Sequence, residues 1–210
     1  MANLADHLFR QARERGEKIA VICQDERWSF AQIADRVAHI AGGLASHGVG
    51  PGTRVALMCS SRPDFIFVQQ AIFALGATMI PINTLYRRAD LLHALTCCAV
   101  EVLVLDAGFV ENLPDRALLP ELRTVLAFGE AAGVDGSATG TPIDAPVDMA
   151  SEAVGMMLYT SATTGRAKGV MLSIANLQAN YDPTPEWLGL DQDTVILCTL
   201  PLYNTFGLNQ

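Results

Sequence analysis

The feature that most constrains how this chain can fold is an alternation, between Val55 and Phe128, of short apolar runs with helix-forming stretches. Val55 to Cys59, Ala77 to Ile82, Glu101 to Leu105 and a run near Thr124 to Phe128 each read as a strand. Pro63 suits a first helical turn and opens a helix to about Leu75, and a second helix is expected near Arg88 to Cys98. A repeated strand, helix, strand rhythm is accommodated most economically by an α/β fold, a doubly wound and mostly parallel sheet flanked by helices. The longest apolar stretch, Phe65 to Ile82, is broken by Gln69, Gln70 and Gly76. It therefore reads as a buried helix followed by a strand and not as a membrane span.

Ahead of this core, Asn3 is the expected N-cap of a helix carrying Leu4, Leu8, Phe9 and Ala12 on one face and ending near Gly16. Ile19 to Cys23 and Arg27 to Phe30 form a hairpin, and Ser29 caps a helix over Phe30 to His47. Gly48 to Thr53, with Pro51, breaks the chain before the first core strand. After Phe128 the composition shifts: Gly129 to Glu152 holds five acidic residues and no basic one, and is expected to be a solvated connection of low structural content. The resulting organisation is a first α/β subdomain over 1–128, an acidic connection over 129–152, and the start of a second α/β subdomain over 153–210. Within the last, Met171 and Leu172 read as a short strand, Ser173 as the cap of a helix through Asn180, Pro183 and Pro185 as its end, and Thr194 to Thr199 as a further strand.

Half of the 210 residues are hydrophobic and 17% are charged, which describes a well-packed globular protein. A net charge of −8 with no basic stripe excludes nucleic acid as a partner, and any polyphosphate has to be held locally. The five cysteines show no C-x-x-C spacing and read as reduced thiols, most in apolar surroundings. No metal site is expected, because the acidic residues of 129–152 match no ligand spacing. The first residues carry no basic region followed by an apolar run, so a cytoplasmic location is expected. The four histidines fall on expected helices without evident partners and are read as surface or helix-end residues.

The most unusual chemistry is concentrated in Tyr159 to Val170, Y-T-S-A-T-T-G-R-A-K-G-V. Thr160, Ser161, Thr163 and Thr164 supply hydroxyls, Gly165 and Gly169 let backbone N–H groups approach an anion, and Lys168, one of only two lysines, supplies a point charge. The apolar run Val154 to Leu158 just before it reads as a buried strand, so the loop leaves the end of a sheet, where phosphates bind in open α/β folds. A plain Ser/Thr/Gly-rich surface turn is the alternative. The kinase and GTPase P-loop is excluded, since Gly169 follows the lysine where that motif needs a hydroxyl for magnesium.

This stretch resembles the phosphate-binding signature of the adenylate-forming superfamily, Y-T-S-G-T-T-G-x-P-K-G-V, at ten of twelve positions counting the variable one. The departures are Ala162 for glycine and Ala167 for proline. If position 162 needs positive φ, the added Cβ costs about 1 kcal/mol and predicts weaker or slower nucleotide use. The N-terminal region is also similar to that of acyl-CoA synthetases, with A-I-F-A-L-G-A-T-M-I-P-I-N over Ala71 to Asn83. The ending L-P-L-Y-N-T-F-G-L over 200–208 resembles the family's L-P-L-F/Y-H-x-x-G element, with Asn204 in place of histidine. Asn204 donates a hydrogen bond but carries no proton charge near neutral pH. An aromatic turn packing Tyr203 and Phe206 into a core is the structural alternative.

The resemblance implies a ligase that converts a carboxylic acid, of fatty type from the apolar ending, with ATP to an acyl-adenylate and then with coenzyme A to a thioester. It implies that Thr160, Ser161, Ala162, Thr163, Thr164, Gly165 and Lys168 hold the ATP phosphates, with Lys168 stabilising charge catalytically, and that Tyr203, Asn204 and Gly207 contact the acid. Magnesium is implied with ATP. The adenine-binding, ribose-binding and C-terminal lysine elements of the family have no counterpart in the sequence, which implies an N-terminal portion. Two classes of function stay open: part of a working ligase, or a fragment that binds nucleotide or acyl ligand and self-associates or needs a complementing chain.

Overall fold

The computed structural model describes residues 3–128, 136–137, 139–159 and 168–204. Their backbone builds α1 (Asp6–Arg15), β1 (Ile19–Cys23), β2 (Glu26–Ser29), α2 (Phe30–Ser46), β3 (Arg54–Met58), α3 (Pro63–Ala74), β4 (Thr78–Pro81), α4 (Arg88–Cys97) and β5 (Val102–Asp106). Two 3₁₀ turns, Ala107–Asn112 and Arg116–Leu118, lead to β6 (Thr124–Phe128). β7 (Gly136–Ser137), β8 (Val154–Tyr159), β9 (Gly169–Ser173), α5 (Ile174–Tyr181) and α6 (Thr184–Leu188) follow. β1 and β2 form the expected antiparallel hairpin. The other strands form one sheet in the order β7-β6-β5-β3-β4-β8-β9, parallel throughout except for the antiparallel β8–β9 pair. Strands on both sides of the acidic connection thus share a sheet.

Period-two alternation divides this sheet between two cores. Val55 and Leu57 of β3, Met79 of β4, and Val102 and Val104 of β5 face a cluster with Phe65, Val68 and Ile72 of α3 and Ile40 and Leu44 of α2. Ala56, Met58, Ile80, Leu103 and Leu105 face the opposite cluster, with Leu91, Ala94 and Leu95 of α4. α3 is buried on nearly every side, which explains why its sequence is apolar all round. Both capping serines act as expected: Ser29 with Gln32, and Ser173 with Asn176, close reciprocal capping boxes.

Two expectations are corrected. Asn3 is not the cap of α1, whose N-terminal flank is Ala5. Its amide, 2% exposed, instead donates to the carbonyls of Phe73 at 2.6 Å and Val147 at 2.9 Å. These bonds tie the end of α3, whose Phe73 carbonyl also accepts the Gly76 N–H at 2.8 Å, to the acidic connection. Thr194 to Thr199 is not a strand: Val195 is 87% and Leu197 80% exposed, and no described strand lies beside them to complete a ladder. α5 ends at Tyr181, just before the prolines at 183 and 185 as expected, and a further short helix, α6, begins on them and ends at Gly189, whose φ of 65° permits the left-handed cap.

The acidic connection is held to the helices more tightly than its composition implies. Gly140 N–H donates to the His39 carbonyl at 2.9 Å, Ile143 N–H to Ala38 at 3.1 Å and Val147 N–H to Ala74 at 2.9 Å. Among the described residues, no helix is long and apolar enough to cross a membrane.

Candidate functional site at the carboxyl edge of the sheet

In a parallel sheet every strand delivers its following loop to the same edge, and here β3, β4, β5, β6 and β8 all do so. Tyr159, the last residue of β8, pairs with Gly169, the first of β9. The stretch expected to wrap an anion is therefore the connection between two antiparallel strands, β8 and β9. Thr160, Ser161, Ala162, Thr163, Thr164 and Gly165 lie outside the described residues, as does Gly207. Lys168 is exposed immediately before β9.

The base of this hairpin packs against α4. A Cβ on Gly169 would stand 3.2 Å from the Cys98 sulfur, so glycine lets β9 start close to the helix end. Tyr159 meets the His93 ring edge-on, with centroids 5.9 Å apart. Among the described residues its buried hydroxyl has no hydrogen-bond partner. Burial, with the Cys97 and Cys98 thiols beside it, pushes the ionisation of this phenol upward. Burial likewise pushes the Cys98 thiol up to about 11.

The order β5-β3-β4 places a topological switch point between β3 and β5, because the chain leaves β3 towards β4 and leaves β5 towards β6. Asp106 closes β5 there and is 9% exposed. Its Oδ2 accepts the Ser60 N–H at 2.9 Å, while Oδ1 lies 3.4 Å from Arg62 Nη1 and 3.7 Å from the Cys59 sulfur. Arg62 Nε also donates to Asp64 Oδ2 at 2.7 Å, and its guanidinium sits 5.8 Å from the centroid of Phe128. Desolvation opposes the charge of Arg62, but Asp106 and Asp64 outweigh it and hold the guanidinium protonated more firmly than usual. Burial, reinforced by Asp106, pushes the Cys59 thiol far up, so it is no nucleophile.

The second sequence motif reaches this same loop. Leu202 N–H donates to Ser61 Oγ at 3.1 Å, and Asn204 N–H closes a turn onto the Pro201 carbonyl at 3.0 Å. Leu202 and Tyr203 are half-buried against the larger core, whereas Asn204 is exposed. β3 and β8 are separated only by β4. The loops that follow them leave the edge about 10 Å apart, two strand spacings. Ser61, Arg62 and Asp106 were not among the residues the sequence singled out. The available signal was a pair of strands ending in S-S-R and in aspartate, which carries meaning only once the switch point between them is known. The described residues contain no group of three His, Cys, Asp or Glu arranged to hold a metal.

Comparison with known proteins gives this edge a context. The family model of the AMP-binding enzyme matches residues 8–210. A feruloyl-CoA synthase from Amycolatopsis is 32% identical, with 95% of this chain aligned to 39% of that enzyme. A 2-succinylbenzoate–CoA ligase from Bacillus cereus is 26% identical over 100% of this chain and 41% of its own length. The crystal structure of a long-chain-fatty-acid–CoA ligase from Archaeoglobus fulgidus superposes with a TM-score of 0.85 at 26% identity, over 99% of this chain and 44% of that one. That of o-succinylbenzoate CoA synthetase from Bacillus subtilis, in complex with its acyl-adenylate intermediate, gives 0.80 at 25%, over 99% and 52%. The chain spans about two-fifths of the length of the curated relatives it matches.

Proposed function

We propose that this chain, which belongs to the AMP-binding enzyme family, supplies the phosphate-holding and part of the acid-holding surface of a ligase that activates a carboxylic acid as its acyl-adenylate and transfers the acyl group to coenzyme A. The observation that carries this reading is the convergence of two family motifs on one sheet edge, the hairpin connection after β8 and the 200–204 turn beside β3. The donor set fits ATP: the hydroxyls of Thr160, Ser161, Thr163 and Thr164 and the backbone of Ala162 and Gly165 hold the phosphates, and Lys168 offsets charge on the departing pyrophosphate. Tyr203, Asn204 and Gly207 contact the acid, which the apolar ending suits to a fatty or other largely apolar chain. Magnesium accompanies ATP and neutralises its phosphates.

The test is acid-dependent pyrophosphate release from ATP by the ligase to which this chain contributes, with and without Lys168→Ala. Release that needs acid and falls about 10²-fold in the variant is the expected result. Release indifferent to both overturns the reading.

A second reading, a binding fragment that pairs with a complementing chain or with itself, is favoured by one observation. Val170, Met171, Trp187, Leu188, Val195 and Leu197, all large and apolar, are 42–87% exposed within a single C-terminal stretch. A clean monomer in size-exclusion chromatography, together with acid-dependent release, counts against it.

A further inference from the structure

We propose that Ser61 is a positioning residue for the acid site, seating the 200–204 turn on the loop between β3 and α3. The inference rests on the acid-contacting role given above to Tyr203 and Asn204. Residues 190–204 form no helix or strand, and among the described residues two polar tethers join them to the body. One is at Lys18, whose ammonium donates to the Gln192 carbonyl and lies 3.6 Å from Asp193. The other is the Leu202 N–H to Ser61 Oγ bond, one residue from Tyr203 and two from Asn204.

Ser61 is a fixed point because its neighbours are fixed. Ser60 is bonded to Asp106 through its backbone, and Arg62 is held by Asp106 and Asp64 and packed over Phe128. The ends of three strands, β3, β5 and β6, therefore converge on one short loop, and its central hydroxyl is the acceptor offered to the turn. Leu202 and Tyr203 then lean on the larger core, which leaves Asn204 exposed at the sheet edge. A side chain held this way presents its amide without first ordering the turn, and that ordering would otherwise subtract from ligand binding.

The test uses the whole chain and three forms: wild type, Ser61→Ala and Ser61→Thr. Amide hydrogen exchange is read at Leu202, and binding is measured with decanoate and with benzoate. Loss of one hydrogen bond predicts that Ser61→Ala speeds Leu202 exchange about tenfold and weakens binding of the acid about fivefold, with exchange in β5 unchanged. Threonine keeps the acceptor and restores both. Unchanged Leu202 exchange in Ser61→Ala overturns the proposal. So does faster exchange with unaltered acid binding, or the absence of binding of both acids by the wild type. Failure of the ligase reading is distinguishable: it is bound acid without pyrophosphate release.

Discussion

Asp106 at the end of β5 accepts the backbone N–H of Ser60, just beyond β3, at 2.9 Å, and so one carboxylate joins two neighbouring strand ends across the switch point of the sheet. Replacing it with alanine leaves the Ser60 N–H without its acceptor and leaves Arg62 with Asp64 alone. The expected cost is about 2 kcal/mol, that of a largely buried hydrogen bond to a charged group. Asp106→Asn, whose carbonyl still accepts, should lose less. Urea unfolding monitored by circular dichroism checks both, and equal losses would mean that the charge, not the acceptor, matters.

Gly42 in α2 makes an even narrower contact. A Cβ there would stand 1.6 Å from the Thr141 carbonyl oxygen and 2.7 Å from its carbon, both backbone atoms that cannot rotate away. Gly42→Ala must push 140–143 off the helix, breaking the Gly140 to His39 and Ile143 to Ala38 bonds. A loss of about 3 kcal/mol or more is expected, against the gain of a few tenths to 1 kcal/mol that alanine usually brings to a helix. A variant as stable as the wild type would show that the segment does not bind there.

These residues also show what the sequence could and could not announce. The parallel sheet, the buried α3 and both capping serines follow from rules that act within a few residues, and all were legible in advance. The approach of Thr141 to Gly42, across an acidic stretch read as solvated, had no local signature. Asn3 carries the chemistry of a cap and of a clamp alike, and tertiary contact chose the clamp. The apolar run over Thr194 to Thr199 is a statement about propensity, whereas a strand also needs a neighbour. At the site, residue types singled out the connection after β8 as the candidate for phosphate, while the Leu202 to Ser61 bond spans 141 positions and has no local signature.

At the foot of the hairpin Tyr159 carries a buried hydroxyl with no hydrogen-bond partner among the described residues. Removing it should relieve a desolvation cost, so Tyr159→Phe is expected to be neutral or more stable by up to about 1 kcal/mol. The edge-on contact with His93 survives, because it needs only the ring. Thermal unfolding of the variant decides. A marked loss of stability would mean that the hydroxyl has a partner in the connection it precedes.

Alkaline pH should loosen this same foot of the hairpin. Burial, then the neighbouring Cys97 thiol, raises the Cys98 thiol from 9.0 to about 11. The folded state therefore binds the Cys98 proton more tightly than the unfolded chain. Its contribution to stability is complete below pH 9 and is lost as pH rises to about 11, amounting to roughly 2 kcal/mol. The raised Tyr159 phenol acts in the same direction. Urea unfolding at intervals from pH 8 to 11 should show this decline, and Cys98→Ala, less stable at pH 8 for loss of packing, should decline less steeply. Parallel curves for the two proteins would place the alkaline sensitivity elsewhere, with the deeply buried Cys59 beside Asp106 as the next thiol to replace.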